Sequence, residues 1–368
     1  MGDFIMLILT GRLTAYGSIT GLLPGMILLN LEIRIFFQEN WHGMSVLSTM
    51  GANIPGEIVG TAPEASYLLL RSEVTSSEYL IEEAWWVLAA EYADSSGADV
   101  INSSLGYSTF DDAAMNYTNS DMNGITAIST LAAEKAFSKG MIVVVSAGNE
   151  GNKPWKLISS PSDGKHVLAV GAIDTSRNPA PFSSIGPSAD NRIKPDLMAV
   201  GSKTAITLSS GTTGIGNGTS FSSPQIAGMV ACLWQALPEK TNLQIINGIR
   251  RASSRYYSPN NTFGYGIPDF FLALEQMQSS PGKISVNELV VVPNPTQGIF
   301  EIRLVNPEEE VKVIYIYDAV GRNVAVIKNP NLLSGYIRIA EINNLQAGIY
   351  FIIVSTSKKD YPAKLIKQ

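Results

Sequence analysis

A serine at the start of an apolar helix is the strongest chemical signal in this sequence. The stretch Gly216–Leu237, GNGTSFSSPQIAGMVACLWQAL, leads through glycines to Ser220 at the predicted amino terminus of a helix. Backbone N–H groups at such a terminus lack intrahelical partners, and the helix dipole adds positive potential there. An oxyanion formed at Ser220 would therefore meet donors that are already in place. Pro224 is expected in the first turn, where its missing N–H costs little.

The nucleophile would need a base, because a serine hydroxyl is activated when a neighbouring imidazole takes its proton. The chain has two histidines, His42 and His166, so one of them has to be that base. His166 lies in SDGKHVLAV at the entry to a predicted strand, which favours a structural or surface role.

An asparagine follows another predicted strand in a position suited to catalysis. Asn149 comes directly after MIVVVSAG, at the carboxyl end of a predicted parallel strand, where sites of open α/β sheets collect. Its amide could donate to an oxyanion together with the Ser220 N–H. By itself, an asparagine in such a glycine-flanked segment predicts only a turn.

The elements that must position these residues follow an alternating pattern. From His42 to about Gln276, short β-branched runs alternate with amphipathic stretches of helical length, which predicts an α/β fold with a parallel sheet and helices on both faces. The predicted strands are Tyr67–Arg71, Asp99–Ser103, Met141–Ser146 and Val167–Ile173, and the predicted helices are Ser77–Ala93 and Ile125–Lys139. On the Ser220 helix, Ala227 and Gly228 predict close packing, and Cys232 is expected to be a buried core residue.

Composition excludes several classes of function. The formal net charge is -6 and lysines and arginines are scattered, which argues against nucleic acid as a partner. One cysteine excludes an intramolecular disulfide framework and a cysteine-rich zinc site, and two histidines leave little for a histidine metal cage. We expect no cofactor and no metal at the site, and a structural calcium ion is left open because no ligand pattern marks one.

The amino terminus, residues 1–41, differs in composition from the rest of the chain. Leu13–Leu31 is uncharged and long enough to suggest a membrane helix or a signal peptide, but Gly17, Gly21, Pro24 and Gly25 interrupt it. We therefore expect no stable membrane span, and interpret residues 1–41 as a hydrophobic, truncated or scrambled amino terminus.

A second folding unit begins after a linker. Gln278–Lys283, QSSPGK, is small, polar and contains Pro and Gly, which predicts a linker between residues 42–277 and residues 284–368. Beyond it, strand-like runs separated by turn clusters such as NPTQG predict a small all-β sandwich. These runs are LVVVP, IFEIRLV, VKVIYIYD, YIRIAEI and IYFIIVS.

Six segments, in the right order between residue 42 and about residue 270, resemble the subtilisin-like serine proteases. They are the histidine box His42–Val46, the GxAP-like Gly60–Ala65, NSSLG at Asn102–Gly106, SAGNEG at Ser146–Gly151, the stretch Phe182–Gly201, and the GTS segment with SP at Gly218–Pro224. The α/β-hydrolases, which require GxSxG, are disfavoured because this chain has GTSFS.

The resemblance implies a role for each matching residue. Ser220 is expected to be the nucleophile, His42 the general base and acid, and Asn149 the oxyanion donor. Ser104, Leu105 and Gly106 are expected to pair with the substrate backbone.

The aspartate that precedes the histidine in that family is not identifiable. Asp3 is the only aspartate upstream of His42, and MGDFIM has neither a strand before it nor a glycine turn after it. Asp94, Asp99 and Asp111 follow the histidine, contrary to the family's chain order. Either the strand that carries the aspartate is lost from residues 1–41, or the protein is an impaired member of the family.

The carboxyl-terminal stretch VVPNPTQGIFEI…IYDAVGRNV…LQAGIYFIIVS resembles the sorting domain of Bacteroidetes cargo for type IX secretion. Such a domain implies export across the outer membrane, with the type IX machinery as a partner. A carbohydrate-binding or protease-stabilising module is the alternative.

Together these observations predict a secreted serine endopeptidase that acts on protein or peptide substrates. The alternative is a catalytically impaired protein of the same fold that binds peptides or acts at the cell surface.

Overall fold

A computed structural model describes residues 4–9, 41–74, 76–278, 289–304, 310–330, 336–340, 342, 344–358 and 360–368. The chain divides into two compact units, Met1–Gln278 and Ser279–Gln368. The predicted linker after Gln278, and residues 10–40 of the predicted atypical amino terminus, lie outside the described residues.

The first unit is built on a six-stranded sheet. Its strands and those of two small hairpins are β1 (Phe4–Leu9), β2 (Asn53–Ile54), β3 (Ile58–Val59), β4 (Ser66–Arg71), β5 (Val100–Ser103), β6 (Ile142–Ser146), β7 (Leu168–Ile173), β8 (Leu197–Val200), β9 (Thr204–Thr207) and β10 (Thr213–Gly216). The order in the sheet is β4-β1-β5-β6-β7-β8, and β5 to β8 pair in parallel. Strands β5, β6 and β7 are buried along their whole length, which explains their continuous apolar sequence. The α/β fold and its four predicted strands, which became β4 to β7, are confirmed.

One strand of this sheet departs from the parallel pattern. β1 lies between β4 and β5 and runs antiparallel to both. Phe4 pairs with Arg71 and Ile5 pairs with Ser103, so the amino end of β1 lies at the edge where β4 and β5 end. The next residues along the chain from β5 are Ser104 and Leu105, so this edge is where the predicted substrate-binding segment begins.

Six α-helices are found in the described part of the first unit. They are α1 (Trp41–Gly51), α2 (Ile81–Ser95), α3 (Ile128–Ser138), α4 (Thr219–Ala236), α5 (Asn242–Arg251) and α6 (Phe270–Gln278). The two predicted helices became α2 and α3, which begin later than expected because side chains satisfy the preceding backbone. The Glu82 carboxylate accepts from the N–H groups of Val74 and Tyr79, and Asn123 Oδ1 accepts from the Ile125 N–H.

Helix α4 packs closely against α1 and against the segment that follows α1 in the chain. A Cβ on Gly228 would collide with Thr61, so glycine lets α4 approach this segment, as the sequence predicts. Cys232 contradicts its prediction as a core residue: it is exposed, and its thiol lies 3.4 Å from the Thr61 carbonyl oxygen. The reason is its place on the helix, since its neighbours Ala231 and Leu233 are the residues that point into the core.

The described part of the second unit forms two antiparallel sheets that share one core. Its strands are β11 (Leu289–Val292), β12 (Phe300–Leu304), β13 (Val311–Asp318), β14 (Asn323–Lys328), β15 (Tyr336–Ile339), β16 (Gly348–Thr356) and β17 (Asp360–Lys367). The sheets have the orders β11-β12-β15 and β14-β13-β16-β17, and both contribute to the core. The predicted strand-like runs do not include β14 and β17. Pro362 lies in β17, an edge strand, where the absent N–H is tolerated.

Among the residues described, no helix combines the length and apolar character that crossing a membrane requires.

Candidate active site

Ser220 is the second residue of α4, at the edge where the parallel strands end. The chain reaches it through Gly218, whose φ of +154° is a conformation that favours glycine. Ser220 is buried with a relative exposure of 7%, and its hydroxyl lies 3.4 Å from the Ser104 carbonyl oxygen. Its backbone N–H belongs to the first turn of the helix and has no intrahelical acceptor.

Asn149 follows β6 and is held in one orientation by α4. Its Oδ1 accepts hydrogen bonds of 2.9 Å from the Thr219 N–H and 3.0 Å from the Thr219 hydroxyl. The amide NH₂ therefore faces away from these donors. A Cβ built on Gly218 would lie 3.7 Å from both Asn149 Nδ2 and the Ser220 nitrogen, so these two donors border one small space.

His42 approaches the same helix from α1. Its ring centroid lies 5.7 Å from that of Phe221, the residue after Ser220, and 6.0 Å from that of Trp41. Its Nδ1 atom is buried. The packing of α1 against α4 thus brings His42 beside the start of the Ser220 helix.

His166, the other histidine, lies in a different part of the unit. Its Nδ1 is 2.6 Å from a carboxylate oxygen of Glu134, whose other oxygen accepts from the His166 N–H at 2.7 Å. Its ring stacks on Phe137 with a centroid separation of 4.4 Å. These contacts give His166 a structural role between α3 and β7.

The predicted substrate-binding residues follow β5 directly. Ser104 and Leu105 are buried and Gly106 is exposed. The Ser104 hydroxyl donates to the Ser220 carbonyl at 2.9 Å and lies 3.2 Å from the Ser223 hydroxyl. This segment is therefore fixed to the start of α4 by its first side chain.

Pro224 does not lie in the first turn, as the sequence suggested, because α4 begins at Thr219 and makes Pro224 its sixth residue. A proline there has no N–H to donate to the carbonyl four residues earlier, which is that of Ser220. The Ser104 hydroxyl donates a hydrogen bond to that carbonyl instead.

Several carboxyl groups in the first unit are buried and accept hydrogen bonds from protein groups. Tyr107 donates a short hydrogen bond to Glu73, and burial together with that carboxylate raises the pKa of Tyr107. Burial also raises the pKa of Glu83 and that of Asp163. Asp163 accepts from the Gly124 N–H at 2.8 Å and from the Thr130 hydroxyl at 2.5 Å.

Among the described residues, one group of three carboxylates lies close enough together to hold a cation, namely Glu73, Glu78 and Glu82. However, Glu73 and Glu82 accept hydrogen bonds from protein groups, namely the Tyr107 hydroxyl and two backbone N–H groups. Nothing else there points to a metal, so the group is not assigned as a site.

Several residues that position this site were not predicted from the sequence. Thr219 orients Asn149, Ser223 contacts Ser104, and Ser159 lies between Gly106 and Gly148. Thr219 is part of the GTS segment and could have been found there. Ser159 carries no such signal, since it lies in an irregular loop.

The comparison with known sequences is consistent with this geometry. Residues 34–266 match the subtilase family, peptidase S8, and the chain therefore belongs to that family. Subtilisin NAT from Bacillus subtilis subsp. natto is 35% identical over 227 residues, which cover 61% of this chain and 53% of that protein. Subtilisin from Bacillus pumilus is 32% identical over 228 residues, which cover 61% of this chain and 74% of that protein. The chain thus spans about half the length of the first of these relatives, 53%.

Solved structures show the same fold. The epidermin leader peptide processing serine protease (EpiP) from Staphylococcus aureus superimposes with a TM-score of 0.51 at 22% identity, covering 66% of this chain and 64% of that chain. The prenylagaramide maturation protease PagA gives a TM-score of 0.50 at 21% identity, covering 64% of this chain and 81% of that chain.

The second unit has a family of its own. Residues 290–368 match the secretion system C-terminal sorting domain. The expected type IX sorting domain is confirmed, and it indicates secretion or export to the cell surface.

Proposed function

We propose that this chain is an exported serine endopeptidase with Ser220 as nucleophile, His42 as general base and acid, and Asn149 as oxyanion donor. The observation that carries the proposal is the pair of donors, Asn149 Nδ2 and the Ser220 N–H, that border the space at Gly218. An acyl-transfer site needs two such donors next to the nucleophile, because negative charge develops on the carbonyl oxygen.

In this proposal His42 takes the Ser220 proton as Oγ bonds to the scissile carbonyl carbon. The carbonyl oxygen becomes an oxyanion and accepts hydrogen bonds from Asn149 Nδ2 and the Ser220 N–H. The tetrahedral intermediate collapses when protonated His42 gives its proton to the leaving amine. Water, deprotonated by His42, then releases the acyl group from Ser220.

Labelling with a fluorophosphonate tests the assignment, because this probe reacts with an activated serine and needs no peptide turnover. The full chain should be labelled at Ser220, identified by mass spectrometry of the tryptic peptide. Ser220→Ala should abolish labelling and His42→Ala should slow it strongly. Ser210→Ala is the matched control, since Ser210 is an exposed loop serine whose hydroxyl is hydrogen-bonded to that of Thr212. Labelling that survives Ser220→Ala would refute the assignment.

The sorting domain supports a second part of the proposal, namely that the type IX secretion machinery is a partner of this chain and that its substrates are proteins or peptides outside the cell.

A second candidate function is peptide binding without turnover. It is favoured by one observation, that Asp3, the aspartate before His42 in this sequence, is not preceded by a strand-like run or followed by a glycine turn. A chain of this kind would bind peptides but would not react with the fluorophosphonate. Asp3→Asn is the informative variant, because Asp3 is the only aspartate upstream of the histidine. If Asp3 orients His42, this substitution should slow labelling.

A further inference from the structure

A cavity of about 600 Å³ lies in the first unit, in a region that the proposed chemistry does not use. Its wall includes Met229 of α4, which is about 13 Å further along that helix than Ser220. The other lining residues belong to the turn after β7, to the loop between α5 and α6, and to the first turn of α6. Its size falls within the range of about 300–1,000 Å³ that is typical of sites for small molecules.

The wall of this cavity is mostly apolar and partly open to solvent. Its apolar side chains are those of Met229, Phe263, Ile267, Pro268, Phe270 and Phe271. Phe271 has a relative exposure of 70%, although phenylalanine is among the residues that are most often buried. A ligand with an apolar body would remove this ring from water and gain free energy by doing so.

Two arginines, Arg177 and Arg255, also line the cavity. The Arg255 guanidinium lies over the Phe263 ring, 4.4 Å from its centroid, so an aromatic side chain of the wall holds it in place. Neither guanidinium forms an ion pair with a carboxylate in the part of the chain that the structure describes. Both can therefore offer their planar sets of N–H donors to an anion, and a carboxylate can accept from such a set with both oxygens.

The backbone that carries each arginine is fixed by hydrogen bonds. The Arg255 N–H donates to the Tyr265 carbonyl at 2.7 Å, and the Arg177 N–H donates to the Asp174 carbonyl at 3.0 Å. The Asp174 carboxylate also accepts from the Asn178 N–H at 2.8 Å. Because these two segments are already ordered, binding does not have to order them, which lowers its entropic cost.

The charge of the wall suits a ligand with a single negative charge. Asp269 is the acidic residue of the wall, and its carboxylate accepts from the Leu272 N–H at 2.9 Å at the start of α6. Together with the two arginines, it leaves the wall with a net charge of +1. A carboxylate carries one negative charge, whereas a phosphate monoester carries about two near neutral pH.

We infer that this cavity is a second binding site, which takes a carboxylate attached to an apolar group. The two guanidiniums bind the carboxylate, and the aromatic wall covers the apolar part. A free aromatic or aliphatic acid presents this chemistry, and so does the carboxyl terminus of a peptide that ends in an apolar residue. The site is separate from the proposed catalysis, since Ser220, His42 and Asn149 do not line it.

Titration of the full chain with phenylacetate, followed by isothermal titration calorimetry, tests the inference. We expect saturable binding. Phenylacetamide lacks the charge and acetate lacks the ring, so each should bind at least about 10-fold more weakly than phenylacetate. Phenyl phosphate should bind no more tightly than phenylacetate, because the wall has one net positive charge.

Substitution of each arginine locates the site. Arg255→Gln and Arg177→Asn should each weaken the binding of phenylacetate by about 10-fold or more. Asparagine suits position 177, because φ there is +67° and asparagine tolerates a positive φ. Arg251→Gln is the matched control, since Arg251 is exposed at the end of α5 and does not line the cavity. Ser220→Ala should bind phenylacetate as tightly as the unchanged chain does, which separates this site from the proposed active site.

A competition experiment distinguishes the two sources of the carboxylate. An N-acetylated tripeptide acid that ends in phenylalanine, or its carboxyl-terminal amide, is added to the complex with phenylacetate. Displacement by the peptide acid alone assigns the site to peptide carboxyl termini, and displacement by neither peptide assigns it to free acids, so both results support the site.

Four results would overturn the inference. They are no binding of phenylacetate, equal affinities for phenylacetate and phenylacetamide, tighter binding of phenyl phosphate, and an affinity that neither arginine substitution changes. Displacement by the peptide amide as readily as by the peptide acid would also contradict it, because the carboxylate would then not be recognised. A chain that binds phenylacetate but resists the fluorophosphonate would keep this site and lose the proposed catalysis, so the two failures are distinguishable.

Discussion

The hydroxyl of Ser104 donates a 2.9 Å hydrogen bond to the backbone carbonyl of Ser220. This is the carbonyl that Pro224, four residues further along α4, cannot satisfy because proline has no N–H. The break in the helical hydrogen bonds is therefore used to fix the predicted substrate-binding segment against the proposed nucleophile. Two distant parts of the sequence, GTSFSSP and NSSLG, are joined at the point where the chemistry is proposed.

This relationship predicts a coupling between Ser104 and Pro224. Ser104→Ala should lower the free energy of unfolding by about 1–3 kcal/mol, because it leaves a buried carbonyl without a donor. In a Pro224→Ala background, Ser104→Ala should lower the free energy of unfolding by less, because residue 224 then has an N–H that can donate to the same carbonyl. Urea unfolding of the four variants of this double-mutant cycle measures the difference.

Ser222→Ala is the control for that cycle. Its hydroxyl is buried and donates to the Thr219 carbonyl at 2.9 Å, which Pro224 does not affect. The cost of Ser222→Ala should therefore be equal in both backgrounds. An equal cost for Ser104→Ala in both backgrounds would show that Ser104 does not replace the missing helical donor.

Slow turnover is the second prediction. If His42 lacks the carboxylate that holds its tautomer, the chain should hydrolyse a peptide p-nitroanilide about 10⁴-fold more slowly than an intact subtilisin, a loss measured in subtilisin itself rather than calculated for this chain. The comparison is made on kcat at saturating substrate, with Ser220→Ala as the background rate. Turnover similar to that of the intact enzyme would mean that another group orients His42.

A third prediction concerns the pH dependence of stability. Burial raises the pKa of Asp163 in the folded state, so its favourable contribution is fully present below its unfolded pKa of about 3.8 and is lost as pH rises through the higher folded pKa. The Asp163→Asn variant has no carboxyl group to titrate at this position and so avoids this loss. Its free energy of unfolding, relative to that of the wild type, should therefore increase as pH rises from about 4. One such group contributes at most about 1.4 kcal/mol per pH unit. Asparagine can keep one acceptor for the Gly124 N–H and donate to Thr130.

Asp174→Asn is a control of opposite sign. Hydrogen bonds from Asn178 lower the pKa of Asp174, so its contribution is present above the unfolded pKa and lost as pH falls. Relative to the wild type, this variant should become less stable as pH rises. All five tryptophans lie in the first unit, so the fluorescence transition in urea reports that unit at each pH. Parallel pH profiles for the two variants would contradict the shift assigned to Asp163.

The fourth prediction separates catalysis from export. Each unit has its own buried core, and every proposed catalytic residue lies in the first unit. Ending the chain after Gln278 should therefore leave fluorophosphonate labelling of Ser220 unchanged. In a Bacteroidetes host with type IX secretion, the shortened chain should remain in the periplasm while the full chain appears in the medium, as measured by immunoblot. Equal amounts in the medium would refute the sorting role.

Local sequence patterns predicted the strands β4 to β7 and the helices α2, α3 and α4 of the first unit, together with the identity of the proposed catalytic residues. The run MIVVVS predicts β6 because a strand buried on both faces needs a continuous apolar sequence, and Ser220 is marked by a glycine approach and an apolar helix that are adjacent in the chain. The second unit was predicted for the same reason, since alternation and turn residues are local signals. The edge strand β17 was missed because Pro362 hides the pattern.

Only the tertiary structure decided how these elements meet. The orientation of β1 between β4 and β5 depends on pairing with strands far away in the chain, and its sequence FIMLIL is compatible with either direction. Cys232 is exposed because of the rotation of α4 about its axis, which its apolar neighbours do not fix individually. Ser159 Oγ packs against the open face of Gly106 and Ser184 Oγ against that of Gly148, and no periodicity encodes such contacts between separate loops. Element type follows from the local sequence, whereas the fit of a side chain against a distant backbone is set by how the whole sheet edge packs.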